Sequence, residues 1–312
     1  MAIDTFKQWL TLFGSEDELT AFNLAAVAEG LDIIKELNDK NIGGETVENR
    51  IGEYKSWDPE IFRVDKDTEQ RYCKRLEERG EPIVLLSEEA GRRVLNPGAR
   101  GVKKFAVCDP FDGSYLFKRG IPDFWYSSMA LYDSKGNCIC CAVGDGVQHK
   151  IAFANKKGAF IVDVSSGKPA HRFQLNAQYR QLMGRKDVTE LEKASIESYA
   201  MKPKKYLLPL VDEYRQVMEP FKFFLPNGGP YAFADVAEGK IDCYFARKQP
   251  HVDVFSGIFI AQQAGVVVSD FEGNEVRFPE DVETVHDVLV STNRTLHNKV
   301  LEKISDCKKK AR

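Results

Sequence analysis

From Glu18 to Asn38 the segment ELTAFNLAAVAEGLDIIKELN brings apolar side chains back at steps of three and four, the spacing of a helix face laid on a core. NIGGETVENRIGEYKSWDPE breaks that pattern. In IFRVDKDTEQRYCKRLEERG a short β-prone start passes into helical spacing at Tyr72, Leu76 and Arg79, with Gly80 placed to stop the helix. PIVLLSEEAG is an apolar run ending abruptly in Glu88 and Glu89, and KKFAVCDPFDG repeats the design with Asp109 and Asp112. Both read as buried strands ending in charge. WYSSMALYD, CICCAVGDG and HKIAFANKKGAFIVD add strands separated by Gly, Asn and Asp turns, an antiparallel meander. From residue 166 a polar link, SSGKPAHRFQLNAQ, is expected to lead into a second lobe. There VTELEKASIESYA, LVDEYRQVMEPF and YAFADVAEG predict helices, KIDCYFA, GVVVSD and DVLVST predict short strands, and the closing CKKKAR reads as a solvated tail. The expected division is a lobe over 1–165 and another over 166–312.

Composition narrows the function more than the fold. A chain of 312 residues, 43% hydrophobic and 29% charged, can bury a large core, and its formal net charge of -3 supplies no overall basic field. A generic grip on a nucleic acid polymer or an anionic membrane is therefore not expected, and no apolar stretch approaches the roughly 20 residues that span a bilayer. Seven cysteines, an odd number, and no charged-then-apolar leader predict reduced thiols and a cytoplasmic setting. Cys138 and Cys141 have C-x-x-C spacing, but without a second pair or a nearby histidine NCICCAVG reads as a strand. GDGVQH lacks the third glycine of a dinucleotide fingerprint, and SSGKPA lacks the features of a phosphate-binding P-loop.

Carboxylates at strand ends are the recurring object: Glu88, Glu89, Asp109, Asp112, and Asp253 in PHVDVFSGIFIAQQAG. One such acid alone is ordinary surface decoration. Several converging acids, with no lysine or arginine expected beside them, repel one another and call for a hard divalent cation. In DPFDGS, Pro110 restrains Asp109 while the chain turns, so that Asp109, the Phe111 carbonyl and Asp112 can face one point. Gly113 permits close backbone approach, and Ser114 can open a helix whose amides would receive an anion.

SEEAG, DPFDGS and HVDVFSGIFIAQQAGVVVSDFEG resemble, in order, the signature stretches of the inositol monophosphatase family. FRVDKDTEQ, ANKKGAF and DVAEGKIDCYF extend the resemblance over residues 18 to 301. The wider superfamily includes fructose-1,6-bisphosphatases and 3'(2'),5'-bisphosphate nucleotidases. The resemblance implies an α/β fold, a layered α-β-α-β-α sandwich of the sugar phosphatase type, with most metal ligands in the first lobe and Asp253 in the second. It implies a Mg2+-dependent, lithium-sensitive phosphomonoesterase acting on a small phosphorylated polyol or sugar, with about two or three Mg2+ ions per site, and a homodimer. Glu88, Asp109 and the Phe111 carbonyl would hold one ion, and Asp109, Asp112 and Asp253 another, with a further site near Glu88 and Asp67. Ser114 and Asp67 would accept the proton of the attacking water, Glu89 would orient the metal shell, and Gly113 and Ser114 would bind phosphate.

The departures bear on substrate. Where inositol phosphatases carry a glutamate facing the sugar, this chain has Ala246, followed by Arg247, Lys248 and His251 in RKQPH. That loop is expected either to meet a second anionic group or to be a solvated basic loop. Gly228 and Gly229 in NGGPYAFADV either bring backbone near substrate or end a strand, and Lys118 and Arg119 are candidates for anion contact or an oligomer interface. A bisphosphate nucleotidase, a fructose-1,6-bisphosphatase and a catalytically idle relative stay open as alternatives.

Overall fold

The computed structural model describes residues 17–50, 56, 58–165 and 170–310. Helices α1 (Glu18–Asp39) and α2 (Arg63–Glu78) flank a two-stranded ribbon of β1 (Thr46–Asn49) and β2 (Glu60–Phe62). An eight-stranded sheet follows. It is built from β3 (Ile83–Ser87), β4 (Gly91–Leu95), β5 (Lys104–Asp112), β6 (Tyr126–Tyr132), β7 (Cys138–Asp145), β8 (Lys150–Asn155), β9 (Gly158–Asp163) and β10 (Ala170–Leu175). Their order is β10-β9-β8-β7-β6-β5-β3-β4, and all neighbours are antiparallel except β3 with β5. The short helix α3 (Ser114–Lys118) leaves β5, and α4 (Ala177–Leu182) follows β10.

The remaining chain makes a five-stranded sheet, β12-β11-β13-β15-β14, from β11 (Ser195–Glu197), β12 (Phe223–Leu225), β13 (Cys243–Pro250), β14 (Val267–Asp270) and β15 (Val285–Ser291). Its helices are α5 (Leu208–Met218), α6 (Ala232–Glu238), α7 (His251–Phe255), α8 (Ile258–Gln263) and α9 (Arg294–Lys310).

Strand alternation sets the layers. On β5, Ala106 and Cys108 pack with Leu24, Val27 and Tyr72 of α1 and α2, while Phe105 and Val107 join Phe233, Val236 and Ile260 of α6 and α8. Likewise Tyr244 and Ala246 of β13 face those middle helices, and Cys243 and Phe245 meet Leu210 of α5 and Val300 of α9. Helices, sheet, helices, sheet and helices thus stack in five layers, the expected α-β-α-β-α sandwich. Nearly every strand residue of β5 and β6 is buried because both sheet faces are covered.

Three local expectations are corrected. Part of the presumed polar link is β10, which pairs with β9 and extends the large sheet; residues 166–169 lie outside the described residues. VTELEKASIESYA is a single 3₁₀ turn followed by β11, because Ile196 and Glu197 are captured between β12 and β13. The helical α9 continues through the lysines of the expected tail, with Cys307 buried on the core. Among the described residues no helix is long and apolar enough to cross a membrane.

Candidate active site

Strand β5 carries two of the acids. Residues three apart on a regular strand face opposite sides, yet Asp109 pairs with Ser128 and Asp112 with Tyr126, so β5 holds one residue more than β6 between them. This bulge redirects Asp112. The Ser127 hydroxyl donates to the Pro110 carbonyl at 2.7 Å, and proline brings no N–H that would need a partner at the irregularity. The strand therefore continues through Asp112 instead of stopping at Asp109.

Gly113 then turns the chain at φ +101°, and a Cβ on it would lie 2.2 Å from the Phe124 carbonyl oxygen. Only glycine fits. Ser114 opens α3 directly after this turn, and its hydroxyl donates to Asp65 Oδ1 at 2.6 Å. Asp65 Oδ2 accepts the Phe62 N–H at 2.8 Å, which also caps α2. Burial, opposed by these two hydrogen bonds and reinforced by the charge of Glu88, pushes the Asp65 carboxyl up to about 7.

Glu88 lies just beyond β3, whose last residue, Ser87, donates to the buried Glu69 at 2.5 Å; Glu69 also accepts the Ala90 N–H at 2.8 Å. Glu69 thus brackets the two-glutamate turn from both sides. Asp253 comes from the other sheet, on α7, directly after β13. The Ser256 hydroxyl lies 2.8 Å from that of Ser128, beside the Asp109 backbone, and the Tyr132 hydroxyl donates to the Phe255 carbonyl at 2.6 Å. These buried bonds tie α7 to β6. As a result one carboxylate oxygen each from Glu88, Asp109 and Asp253 lie within 4.8 Å of one another.

The same place opens into a cavity of about 370 Å³, whose lining includes Glu88, Phe111, Asp112, Gly113, Ser114, Gly229 and Asp253 together with Tyr199, Met201 and Tyr206. Gly229 has φ +75°, and a Cβ there would meet Asp112 Oδ2 at 2.1 Å, so the glycine leaves the carboxylate its room. Carboxylate oxygens around a common point suit a hard cation such as Mg2+. The residues present fit that ion.

Several sequence expectations are corrected here. Asp67 is not the partner of Ser114; Asp65 is, because residues two apart on a helix face nearly opposite directions. Arg50 was not anticipated beside the acids, yet its Nη2 lies 2.5 Å from Glu89 Oε1 and 3.5 Å from Glu88 Oε1. Ala246 is fully buried in the core between the sheets and does not line the cavity. Arg247 turns back to Glu213, with Nε 2.9 Å from its carboxylate. Lys248 is exposed at φ +47°, its N–H held by Asp287. Neither basic residue lines the cavity. Gly228 packs against Tyr199, where a Cβ would lie 2.7 Å from the tyrosine Cβ. Lys118 pairs with Glu60 at 3.5 Å and sits over the Phe62 ring.

Comparison with known proteins agrees with this geometry. A family model described as the inositol monophosphatase family matches residues 15–309. A protein of Thermococcus kodakarensis named fructose-1,6-bisphosphatase/inositol-1-monophosphatase is 27% identical over 290 residues, covering 91% of this chain and 98% of the relative. The extragenic suppressor protein suhB from Bartonella henselae superposes with TM-score 0.69 at 18% identity, covering 91% of this chain and 96% of its own. The IMPase of Thermotoga maritima gives 0.66 at 14%, with coverage of 93% and 97%. The match over nearly the whole length decides the matter: this chain belongs to the inositol monophosphatase family and is a phosphoric monoester hydrolase.

Proposed function

We propose that the chain is a Mg2+-dependent phosphatase of a small phosphorylated polyol or sugar, with hydrolysis by water and no covalent enzyme intermediate. The observation that carries the reading is the meeting of Glu88, Asp109 and Asp253 within 4.8 Å, at a cavity that the hydrogen-bonded Ser114–Asp65 pair also lines. Mg2+ held there would acidify water and neutralise phosphate charge. Glu88, Asp109 and Asp253 would hold it, with Asp112 and the Phe111 carbonyl as further oxygen donors that line the same cavity.

Because the Ser114 proton is directed to Asp65, the serine oxygen presents its lone pairs to the cavity and accepts a proton from water as it passes its own on. Asp65, raised to about 7, is basic enough for that task near neutral pH. The turn at Gly113 and the first amides of α3 would receive the phosphate, since Gly113 and Ser114 both line the cavity. The volume of the cavity suits a ligand of sugar size. Tyr199, Met201 and Tyr206 on its wall support a second reading, a 3'(2'),5'-bisphosphate nucleotidase whose base lies on an aromatic surface. Lithium inhibition, a homodimer and a cytoplasmic setting, the last in keeping with seven free cysteines, complete the proposal.

The test is phosphate release with Mg2+ from inositol-1-phosphate, fructose-1,6-bisphosphate and adenosine 3',5'-bisphosphate. Turnover of either of the first two is expected to lead. Exclusive turnover of the nucleotide would favour the second reading, and no release from any of them would overturn both.

A further inference from the structure

Arg50 is a cation already seated in the acidic centre. It follows β1, and its side chain is only 7% exposed. One nitrogen, Nη2, reaches Glu89 Oε1 at 2.5 Å and Glu88 Oε1 at 3.5 Å, and the other, Nη1, donates to the Asp58 carbonyl. The charges of Asp58 and Asp65 also favour the guanidinium there. Glu88 is therefore shared: on one side it faces Arg50, and on the other it joins Asp109 and Asp253. Glu89, whose side chain is 4% exposed, is turned toward the arginine.

We propose that Arg50 serves the outer half of the centre, Glu88 and Glu89, in place of a divalent ion, so that divalent binding is confined to the inner half formed by Glu88, Asp109, Asp112 and Asp253. This rests on the reading of the site as a divalent-metal phosphatase centre. The physical ground is that a guanidinium keeps its charge at every working pH and fits a carboxylate with little loss of freedom. An incoming hydrated ion would have to displace that contact to gain Glu89, while also standing within a few ångströms of a fixed positive charge. Arg50 is thus a positioning residue. It holds Glu88 at the edge of the inner group and limits how many divalent ions the centre accepts.

The experiment is a titration of purified wild-type, R50Q and R50K protein with Mn2+, following free Mn2+ by electron paramagnetic resonance, with thermal unfolding and aryl-phosphate turnover measured on the same samples. R50Q should bind one more Mn2+ per chain than wild type, at an added site weaker than those already present, whereas R50K should keep the wild-type number. A merely structural ion pair would lower the unfolding temperature of R50Q without changing that number. Equal Mn2+ number and affinity in R50Q and wild type would overturn the inference, and so would an added ion in R50K. Should R50Q fail to fold, E89Q decides: with Glu89 neutral the guanidinium falls on Glu88 alone, and Mn2+ affinity of the inner group should drop about threefold or more, while an unchanged affinity overturns the proposal. Wild-type protein that binds no Mn2+ and releases no phosphate sinks the phosphatase reading itself. Wild-type protein that does both, beside an unaltered R50Q, sinks only the role of Arg50.

Discussion

Glu88, Asp109 and Asp112 reach the cleft from adjoining strands of the eight-stranded sheet, whereas Asp253 reaches it from a five-residue helix leaving the five-stranded sheet. On the first side, ladder pairing and one bulge set the acids in place. On the second, nothing in local backbone pairing points Asp253 at the others. That task falls to buried bonds between layers, Ser128 with Ser256 and Tyr132 with the Phe255 carbonyl, and to glycines that let the layers close. One half of the site is thus built by secondary structure and the other by tertiary packing.

If both halves serve one metal centre, D109N and D253N should be equivalent despite their different origins. Each should lower turnover about a thousandfold or more, with circular dichroism unchanged. Near-normal phosphate release from either would break the two-sided site.

D65N and D67N sharpen the strand-side half. D65N should cost roughly a hundredfold to ten-thousandfold in kcat, as loss of a proton acceptor does, while D67N stays within about twofold, a variation that mutations away from the chemistry produce. Stability separates them too. Because folding raises the Asp65 carboxyl from 3.8 to about 7, its stabilising contribution is complete below 3.8 and disappears as pH rises through 7. With chelator present, D65N should therefore unfold at a higher temperature than wild type at pH 8, and the gap should close as pH falls toward 4. A constant gap measured by calorimetry would contradict this assignment of charge.

The packing-built half has its own probe. G229A places a methyl within 2.1 Å of Asp112 Oδ2 in a left-handed backbone, so carboxylate or loop must move. A displacement of this size should cost about a hundredfold in kcat, with the fold retained. The smallest effect is expected from K248A, within about twofold in kcat/KM, since Lys248 is exposed and does not line the cavity. A loss of tenfold or more on a bisphosphate substrate would restore the basic loop as a substrate contact.

The same division explains what could be read from the chain alone. Acids that end apolar runs, the proline between Asp109 and Asp112, and the glycine after them are local signals, whereas the layered fold was implied by the family resemblance, because strands buried on both faces, such as β5 and β6, carry no alternating pattern. Asp65 was also legible: with Glu69, Tyr72 and Leu76 it keeps the spacing of the buried face of α2, which Asp67 does not. Arg50 carries no such signal, because its meeting with Glu89 spans 39 positions and is set by tertiary folding alone. The fate of RKQPH was hidden for a similar reason. The shift in pairing between Ala246 and Gln249, and the capture of Arg247 by Glu213 on α5, are tertiary outcomes that no spacing reveals.

The most direct test of the two-sided metal centre is anomalous diffraction at the manganese edge from crystals soaked in Mn2+. Density is expected between Glu88, Asp109 and Asp253, with carboxylates of both sheets in contact with the ion; peaks confined to other places, or to ligands from one sheet alone, would rule out a two-sided centre.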